Sequence, residues 1–369
     1  MKEIEYLKKL ISFKTDGNEI AINNCLKFIE KELLSFGWKT IMIKNNEDKK
    51  NSLIAVFNGQ LSNIHNGLLL AGHIDTVQTN DTQWDSNPEK LMSKNGNLYG
   101  LGVADMKAFT ATVLSNLETI SKLKLKKPIV FILTNDEETV MYSINKVCDF
   151  LKNNNILPQY AIIGEPSLMT FSNSNKGFYE FETKIIGKSC HSSKPNNGIN
   201  AIYIMSKVIT FLESLSKKYM LDDTTINVGV INGGKMCNIV ADECKIRWDV
   251  RTFLNKNLIA IKKEVDDFLM NITREYVGSS FFNDIVFKIP VFEAREVKIT
   301  QELMKKYFIK EKPYDAATEA GFYQELGMDC VIYGCGDIKD AHSINEKIIK
   351  NNFLDYSNKI INFIKYICC

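Results

Sequence analysis

The spacing of apolar positions changes repeatedly along the first part of the chain. Helix-spaced apolar residues run from Ile4 to Leu34, after which short uninterrupted apolar runs alternate with further helical stretches. We predict strands at residues 53–57, 67–71, 128–134 and 160–164, and helices at residues 106–120 and 141–151. This order is typical of a mostly parallel sheet that helices cover on both faces.

The pattern changes between about Lys176 and Pro290. Here we predict strands at residues 178–186, 226–231, 244–250 and 285–289, and helices at residues 199–215 and 258–272. The resulting βαββαβ order suits a four-stranded antiparallel sheet backed by two helices, as in ferredoxin-like domains. The earlier pattern then resumes with a strand at residues 330–333 and a closing helix at residues 350–367.

These elements predict an α/β fold in which a small domain is inserted into a larger one. We expect residues 1–175 and 290–369 to form a catalytic domain with a mostly parallel sheet flanked by helices. Residues 176–289 would form the inserted ferredoxin-like domain. A chain of 369 residues with 45% hydrophobic content is long enough for two such cores. Insertion also leaves a cleft between domains, where ligand sites are common.

The charge balance favours a small-molecule partner. Forty-six basic and 44 acidic residues give a formal charge of +2, so we expect no nucleic-acid or membrane partner held by long-range charge. No apolar run reaches the roughly 18 residues of a spanning helix, and charges interrupt the opening MKEIEYLKKLISF. We therefore expect a cytoplasmic protein, with its nine cysteines reduced.

Residues that can bind a metal follow four of the predicted strands. They are His73 and Asp75, the acidic run from Asp136 to Glu138, Glu165, and His342. Because the carboxyl ends of parallel strands lie along one edge of a sheet, we expect these side chains to converge. Asp105 follows a glycine-containing turn and would join them from the start of a helix.

Each of these elements has a commoner explanation when it stands alone. His73 and Asp75 could belong to a solvated loop, Asp105 could be a helix N-cap, and the acidic run could be hydrated. Their convergence on one sheet edge favours a metal site. In that interpretation one ring nitrogen of His73 binds the metal and Asp75 accepts a hydrogen bond from the other, which fixes the tautomer.

Two histidines and three carboxylates would supply nitrogen and oxygen ligands. Such a set suits Zn, Co or Mn, with Zn expected by default. One shared carboxylate with two further ligands at each ion would hold two ions roughly 3.5–4 Å apart, able to activate a water. One of the adjacent glutamates, Glu137 or Glu138, is then left over. It can accept a proton from that water and pass it to a leaving amine.

Six ordered motifs resemble the M20 family of metallopeptidases and deacylases. They are GHIDTV, YGLGVADMKAF, TNDEE, GEPS, GKSCHSS and TEAGFYQ with AHSINE, and the resemblance extends from about Ile4 to Ile364. It implies the roles of the site residues: His73 and Glu165 at one metal, Glu138 and His342 at the other, Asp105 bridging, Glu137 as general base, and Asp75 orienting His73.

The resemblance also implies a homodimer formed through the inserted domain. In such a dimer His191 would reach the partner's active site and stabilise the oxyanion of the tetrahedral intermediate. Asn238 and Arg251 match positions that look like substrate contacts, although Arg251 could instead form a surface salt bridge. Glu319 could complement a substrate ammonium group.

The reaction implied by the resemblance is metal-dependent hydrolysis of the amide of an N-acyl amino acid. The expected substrate is N2-acetyl-L-ornithine, which would give L-ornithine and acetate in arginine biosynthesis. Two alternatives within the family are a succinyl-diaminopimelate desuccinylase and a small-peptide hydrolase. An alternative of another class is a non-catalytic binding protein on the same fold, which would have no reason to retain the five ligands and the base.

Overall fold

The computed structural model describes residues 2–45, 49–79, 83–293 and 295–369. Contacts between Cα atoms divide the chain into two compact units. The first consists of Met1–Ser174, Ala294–Tyr314 and Thr318–Cys369, and the second of Asn175–Glu293 with Asp315–Ala317. Within the described ranges, no helix is both long enough and apolar enough to span a bilayer.

Strands form three sheets. In chain order they are β1 (Lys39–Lys44), β2 (Asn51–Phe57), β3 (Leu68–His73), β4 (Met92–Lys94), β5 (Asn97–Tyr99), β6 (Ile129–Thr134), β7 (Tyr160–Ile163), β8 (Gly177–Ile186), β9 (Thr225–Gly233), β10 (Glu243–Thr252), β11 (Ser280–Ile289), β12 (Asp329–Ile332) and β13 (Lys347–Ile349). The sheets have the strand orders β1-β2-β6-β3-β7-β12, β11-β8-β10-β9 and β13-β5-β4.

The helices in chain order are α1 (Lys2–Ile11), α2 (Glu19–Ser35), α3 (Ala108–Ser115), α4 (Leu117–Ser121), α5 (Ser143–Asn153), α6 (Ala201–Tyr219), α7 (Asn255–Glu275), α8 (Lys298–Tyr307), α9 (Ala320–Glu325) and α10 (Lys350–Cys368). Residues of α1, α2, α3 and α10 join one apolar core with one face of the large sheet. Helices α5 and α9 contact strands β2, β6 and β12 of that sheet. The α/β class predicted from the sequence is confirmed.

The large sheet is parallel where the metal-binding residue types lie. Strands β6, β3, β7 and β12 are joined by parallel pairings, whereas β1 and β2 add an antiparallel edge. Every residue of β3 and β6 is buried, as expected of parallel strands covered on both faces. These apolar runs carry no polar residue until their last positions, so each strand delivers its first polar side chains at its carboxyl end.

The helix predicted at residues 106–120 differs from the structure in two respects. It starts later, at Ala108, because Asp105 and Met106 have non-helical backbone angles. It is also interrupted at Asn116, whose side-chain amide donates to the carbonyl of Thr112. Since α3 is preceded by Lys107, Asp105 is not its N-cap.

The Met106 side chain packs directly over two strand ends. A Cβ atom added to Gly72 would lie 2.4 Å from Met106 Cε, and one added to Gly164 would lie 2.5 Å from the same atom. At Gly164 the added atom would also lie 2.2 Å from Phe109 Cγ, so glycine at these strand ends leaves room for the side chains packed against them. The packing brings the residue that precedes Met106 next to the ends of β3 and β7.

The second unit has the predicted βαββαβ order. Its antiparallel sheet of β11, β8, β10 and β9 shares an apolar core with α6 and α7. At the centre of that core, Trp248 stacks on Phe181 with ring centroids 4.3 Å apart, and its indole N–H donates to Thr183 Oγ1 at 2.8 Å. This polar contact satisfies the one donor that a buried tryptophan carries.

Candidate metal centre

His73 stands at the last position of β3 and is almost completely buried. Its Nε2 atom lies 3.0 Å from Asp105 Oδ1 and 3.8 Å from Glu165 Oε1. Its Nδ1 atom contacts the backbone carbonyl of Asp75 at 3.0 Å, while the Asp75 carboxylate is 3.5 Å away. Donation from Nδ1 to that carbonyl fixes the ring orientation, so Nε2 faces the carboxylates and can bind a metal once it has lost the proton it shares with Asp105.

The carboxylate of Asp105 lies between two histidines. Oδ1 faces His73 Nε2 at 3.0 Å, and Oδ2 faces His342 Nε2 at 3.6 Å. This arrangement depends on the extended backbone at Asp105, within the segment of residues 102–107 that we call the Asp105 loop. The two oxygens of one side chain therefore face two separate imidazole rings.

His342 approaches from the chain segment that follows β12. Its Nε2 atom lies 2.7 Å from Glu138 Oε2, and its side chain is about half exposed. Its backbone is left-handed, with φ of 54°, an uncommon conformation for a residue other than glycine. The hydrogen bond to Glu138 raises the pKa of His342 above its ordinary value.

Two overlapping groups of side chains can hold a metal ion. One contains His73, Glu137 and Glu165, and the other contains His73, Asp105 and Glu138; within each group, the candidate ligand atoms lie within 4.8 Å of one another. The structure thus brings together His73 and the four carboxylates predicted from the strand ends and the Asp105 loop. Glu137 lies within 4.8 Å of His73 and Glu165 in the first group, although it is not one of the expected ligands.

Burial and mutual repulsion dominate the electrostatics of these carboxylates. Burial raises the pKa of Glu137 and of Glu165 well above the ordinary glutamate value, and the neighbouring carboxylates raise both further. For His73, burial lowers the pKa, but hydrogen bonds with Asp105 and Asp75 outweigh it and leave the pKa well above normal. Imidazole nitrogens and crowded carboxylate oxygens suit divalent cations, so the residues fit a metal centre.

Glu319 lies in the same unit with its carboxylate buried. Oε1 accepts from Thr134 Oγ1 at 2.5 Å, and Oε2 accepts from the Tyr323 hydroxyl at 3.3 Å. Burial raises the pKa of Glu319 to about 8. Its predicted contact with a substrate ammonium group stays a prediction.

Two of the remaining predicted site residues lie on the surface of the second unit. His191 is exposed, with Nδ1 2.8 Å from Ser193 Oγ. Asn238 is exposed as well, and its backbone carbonyl accepts from the Ser192 N–H at 3.0 Å. That backbone bond joins the segment of His191 to the segment of Asn238. Neither residue belongs to a metal-binding group, and their predicted roles stay predictions.

Arg251 is the third predicted site residue of the second unit. Its guanidinium lies over the Phe178 ring at 4.6 Å, and its Nε atom is 3.5 Å from Asp249 Oδ1. The surface salt bridge that was the alternative role for Arg251 is therefore present, with Asp249 as its partner. A role in binding substrate stays a prediction for this residue too.

Sequence reasoning missed two buried charged residues of the first unit. Glu346 accepts hydrogen bonds from backbone N–H groups of the Asp105 loop. Lys107 is almost fully buried and donates to the carbonyl of Phe13 at 3.0 Å, and burial lowers its pKa. Both lie inside quoted motifs, AHSINE and YGLGVADMKAF, but neither follows a predicted strand. Their contacts are with distant backbone groups, which residue spacing does not reveal.

Comparisons with known proteins agree with this geometry. The model of peptidase family M20/M25/M40 matches residues 69–365. The chain is 33% identical over 341 residues to acetylornithine deacetylase of Buchnera aphidicola subsp. Schizaphis graminum, covering 89% of this chain and 87% of that protein. It is 31% identical over 349 residues to acetylornithine deacetylase of Pasteurella multocida, covering 91% of this chain and 89% of that protein.

Solved structures show the same fold. A tripeptidase from Staphylococcus aureus matches with a TM-score of 0.73 at 24% identity, covering 99% of this chain and 98% of that one. A dinuclear metal-binding peptidase of the M20 family from Bacillus subtilis matches with a TM-score of 0.69 at 15% identity, with the same two coverages. The family match extends over the strand ends and loops that carry the metal-binding groups. The chain therefore belongs to peptidase family M20/M25/M40 and is a metal-dependent amidohydrolase or peptidase.

Proposed function

We propose that the protein hydrolyses the amide bond of an N-acyl amino acid, and that its substrate is N2-acetyl-L-ornithine. The products would be L-ornithine and acetate, in arginine biosynthesis. One observation carries the hydrolytic part of this proposal: the two oxygens of Asp105 face the Nε2 atoms of His73 and His342 separately. The choice of substrate is supported by relatives named acetylornithine deacetylase that align with most of the chain.

We assign five ligands to two divalent cations, with Zn as the metal and Co or Mn as substitutes. His73 and Glu165 would hold one ion, Glu138 and His342 the other, and Asp105 both. The 2.7 Å contact between His342 and Glu138 and the 3.8 Å contact between His73 and Glu165 support this pairing. Asp75 would orient His73 from behind.

Two bound cations would supply Lewis-acid chemistry, polarising the substrate carbonyl and lowering the pKa of a water. Glu137 would accept the proton of that water and later donate it to the leaving amine, which would complete the acid-base cycle of amide hydrolysis. Its position within 4.8 Å of the ligand atoms of His73 and Glu165 supports this role. Glu319 would pair with the substrate ammonium group, and Arg251 and Asn238 would contact the rest of the substrate.

We also propose a homodimer formed through the second unit, in which His191 of one chain stabilises the oxyanion at the partner's site. Strand β9 ends its sheet and pairs only with β10 among the described strands, so one edge of it offers unpaired backbone groups. Exposed apolar side chains lie on this strand, on the chain that follows it, and on α6, which contacts β9: Val230, Ile231, Met236, Ile239 and Tyr203. An apolar surface beside a free strand edge suits pairing with a second copy.

The substrate is tested by assaying the purified, metal-loaded protein on three kinds of amide. N2-acetyl-L-ornithine, N-succinyl-diaminopimelate and a panel of di- and tripeptides are compared by kcat/KM. The proposal requires acetylornithine to be hydrolysed best. Preference for the succinyl substrate or for peptides would show that acetylornithine is not the substrate, but would still support metal-dependent amide hydrolysis. Failure on every amide, with no metal bound, would favour a binding protein instead.

A further inference from the structure

Glu346 is a buried carboxylate that contacts three backbone N–H groups of the Asp105 loop. Its Oε2 atom accepts from Gly102 at 2.7 Å. Its Oε1 atom accepts from Ala104 at 2.7 Å and from Asp105 at 3.0 Å. Only 2% of the residue is exposed, so these bonds form away from competing solvent.

The backbone of Glu346 is itself fixed. Its carbonyl accepts from Gly100 N–H at 3.2 Å. Strand β13 begins at the next residue, and Lys347 pairs with Tyr99 of β5. The backbone of Glu346 is therefore fixed where the pairing of β13 with β5 begins, close to the loop that its side chain contacts.

The Asp105 loop needs such a partner because its backbone does not follow a helix at Asp105 and Met106. A buried N–H group without an acceptor is costly, and the two oxygens of Glu346 supply the acceptors here. The bond to Asp105 N–H also restrains the residue whose two carboxylate oxygens face His73 and His342.

We propose that Glu346 is a positioning residue for the metal centre, an inference that rests on the proposed two-metal site. It fixes the Asp105 loop so that the Asp105 carboxylate can be shared by two cations. It also ties that loop to the segment that carries His342, which lies shortly before Glu346 in the chain. Glu346 thereby connects the loop of the proposed shared ligand to the segment that carries a second proposed ligand.

Two substitutions should differ in severity. In Glu346→Gln the amide oxygen can still accept from Ala104 and Asp105, but the amide nitrogen, a donor, would face the Gly102 N–H. In Glu346→Ala both acceptor oxygens and all three hydrogen bonds are lost. A matched control is Tyr356→Phe, which removes a buried hydrogen bond to the Tyr333 carbonyl in the same unit and leaves the Asp105 loop unchanged.

The experiment titrates full-length, metal-free protein with Zn²⁺ against a chromophoric chelator, and records the visible absorption spectrum of the Co²⁺-loaded protein. We expect wild type to bind two ions and Glu346→Ala to lose about 10–100-fold in affinity for at least one, with an altered Co²⁺ spectrum. Glu346→Gln should lose less. Tyr356→Phe should lower the melting temperature and leave both metal readouts unchanged.

A folded Glu346→Ala protein that binds both ions with wild-type affinity and spectrum would overturn the positioning role. If that variant does not fold, Glu346→Gln decides the question by the same two readouts. If wild type itself fails to bind two ions, the proposed metal centre is wrong, and this outcome is distinct from failure of the inference about Glu346.

Discussion

The backbone N–H of Glu138 donates to Asp75 Oδ2 at 3.0 Å. The Asp75 side chain therefore holds the acidic run after β6, while its backbone carbonyl accepts from the His73 ring. The sequence motif predicts only the contact between Asp75 and the His73 ring, and it assigns that contact to the Asp75 carboxylate instead of the backbone carbonyl. In the structure one residue restrains two different proposed ligands, through two different groups.

This arrangement predicts a difference between Asp75→Asn and Asp75→Ala. An asparagine oxygen can still accept from Glu138 N–H, whereas alanine cannot, and both variants keep the backbone carbonyl that contacts His73. We expect alanine to lower Zn²⁺ affinity by about 10–100-fold and asparagine to lower it much less. Competition with a chelator measures both affinities. Equal losses in the two variants would show that the negative charge of Asp75, and not the hydrogen bond, is what matters.

Glu137→Gln should keep both metal ions and lose most of the turnover. Glutamine has the shape of glutamate but cannot accept a proton, so kcat should fall by about 10²–10⁴-fold while the metal content is unchanged. Steady-state kinetics and elemental analysis of the same sample measure the two quantities. Glu264→Gln, which changes a carboxylate bonded to Lys218 and Tyr219 in the second unit, serves as the control. Near-normal turnover of Glu137→Gln would remove Glu137 from the role of base.

Removing the metal should abolish activity and lower the melting temperature. Burial and mutual repulsion raise the pKa of Glu137 and Glu165, which shows that their charged forms are disfavoured without cations. Ions that bind only the folded state stabilise it in proportion to the logarithm of their concentration. A chelator followed by graded Zn²⁺ or Co²⁺, with activity and thermal unfolding recorded together, tests this. Full activity in chelated protein shown to be metal-free would contradict a metal-dependent reaction.

Two inactive variants should restore activity when mixed, if His191 acts at the partner's site. His191→Ala chains keep Glu137, and Glu137→Gln chains keep His191, so each mixed dimer has one complete site. Random exchange of subunits at equal concentrations should recover about a quarter of wild-type activity. Each variant alone, incubated in the same way, is the control. Absence of recovery, with subunit exchange shown by labelled chains, would exclude a role for His191 across the dimer.

The strand ends were predictable because a strand buried on both faces has an uninterrupted run of apolar residues. β3 and β6 are uninterrupted apolar runs, so His73 and the acidic run after Thr134 stand out where each run ends. The three-residue strands β4, β5 and β13 are too short for a spacing pattern, and they were not predicted. That omission hid Glu346, because its position depends on the pairing of β13 with β5.

The Asp105 loop could not be predicted for a different reason. Met106 begins a run of apolar and helix-favouring residues, which by propensity alone should extend α3 over the site. In the structure, the Met106 side chain packs against Gly72 and Gly164, and the Met106 backbone is not helical. Tertiary contacts thus outweighed local preference at the residue that follows the proposed bridging ligand.

The order of the proposed ligands along the chain has a consequence for biosynthesis. His73, Asp105, Glu138 and Glu165 precede the second unit, whereas His342 and Glu346 follow it. During translation the second unit, which has its own apolar core, leaves the ribosome while the acidic cluster still lacks its last histidine and the carboxylate that supports Asp105. The proposed metal site is therefore complete only after both the second unit and the segment behind it have been made.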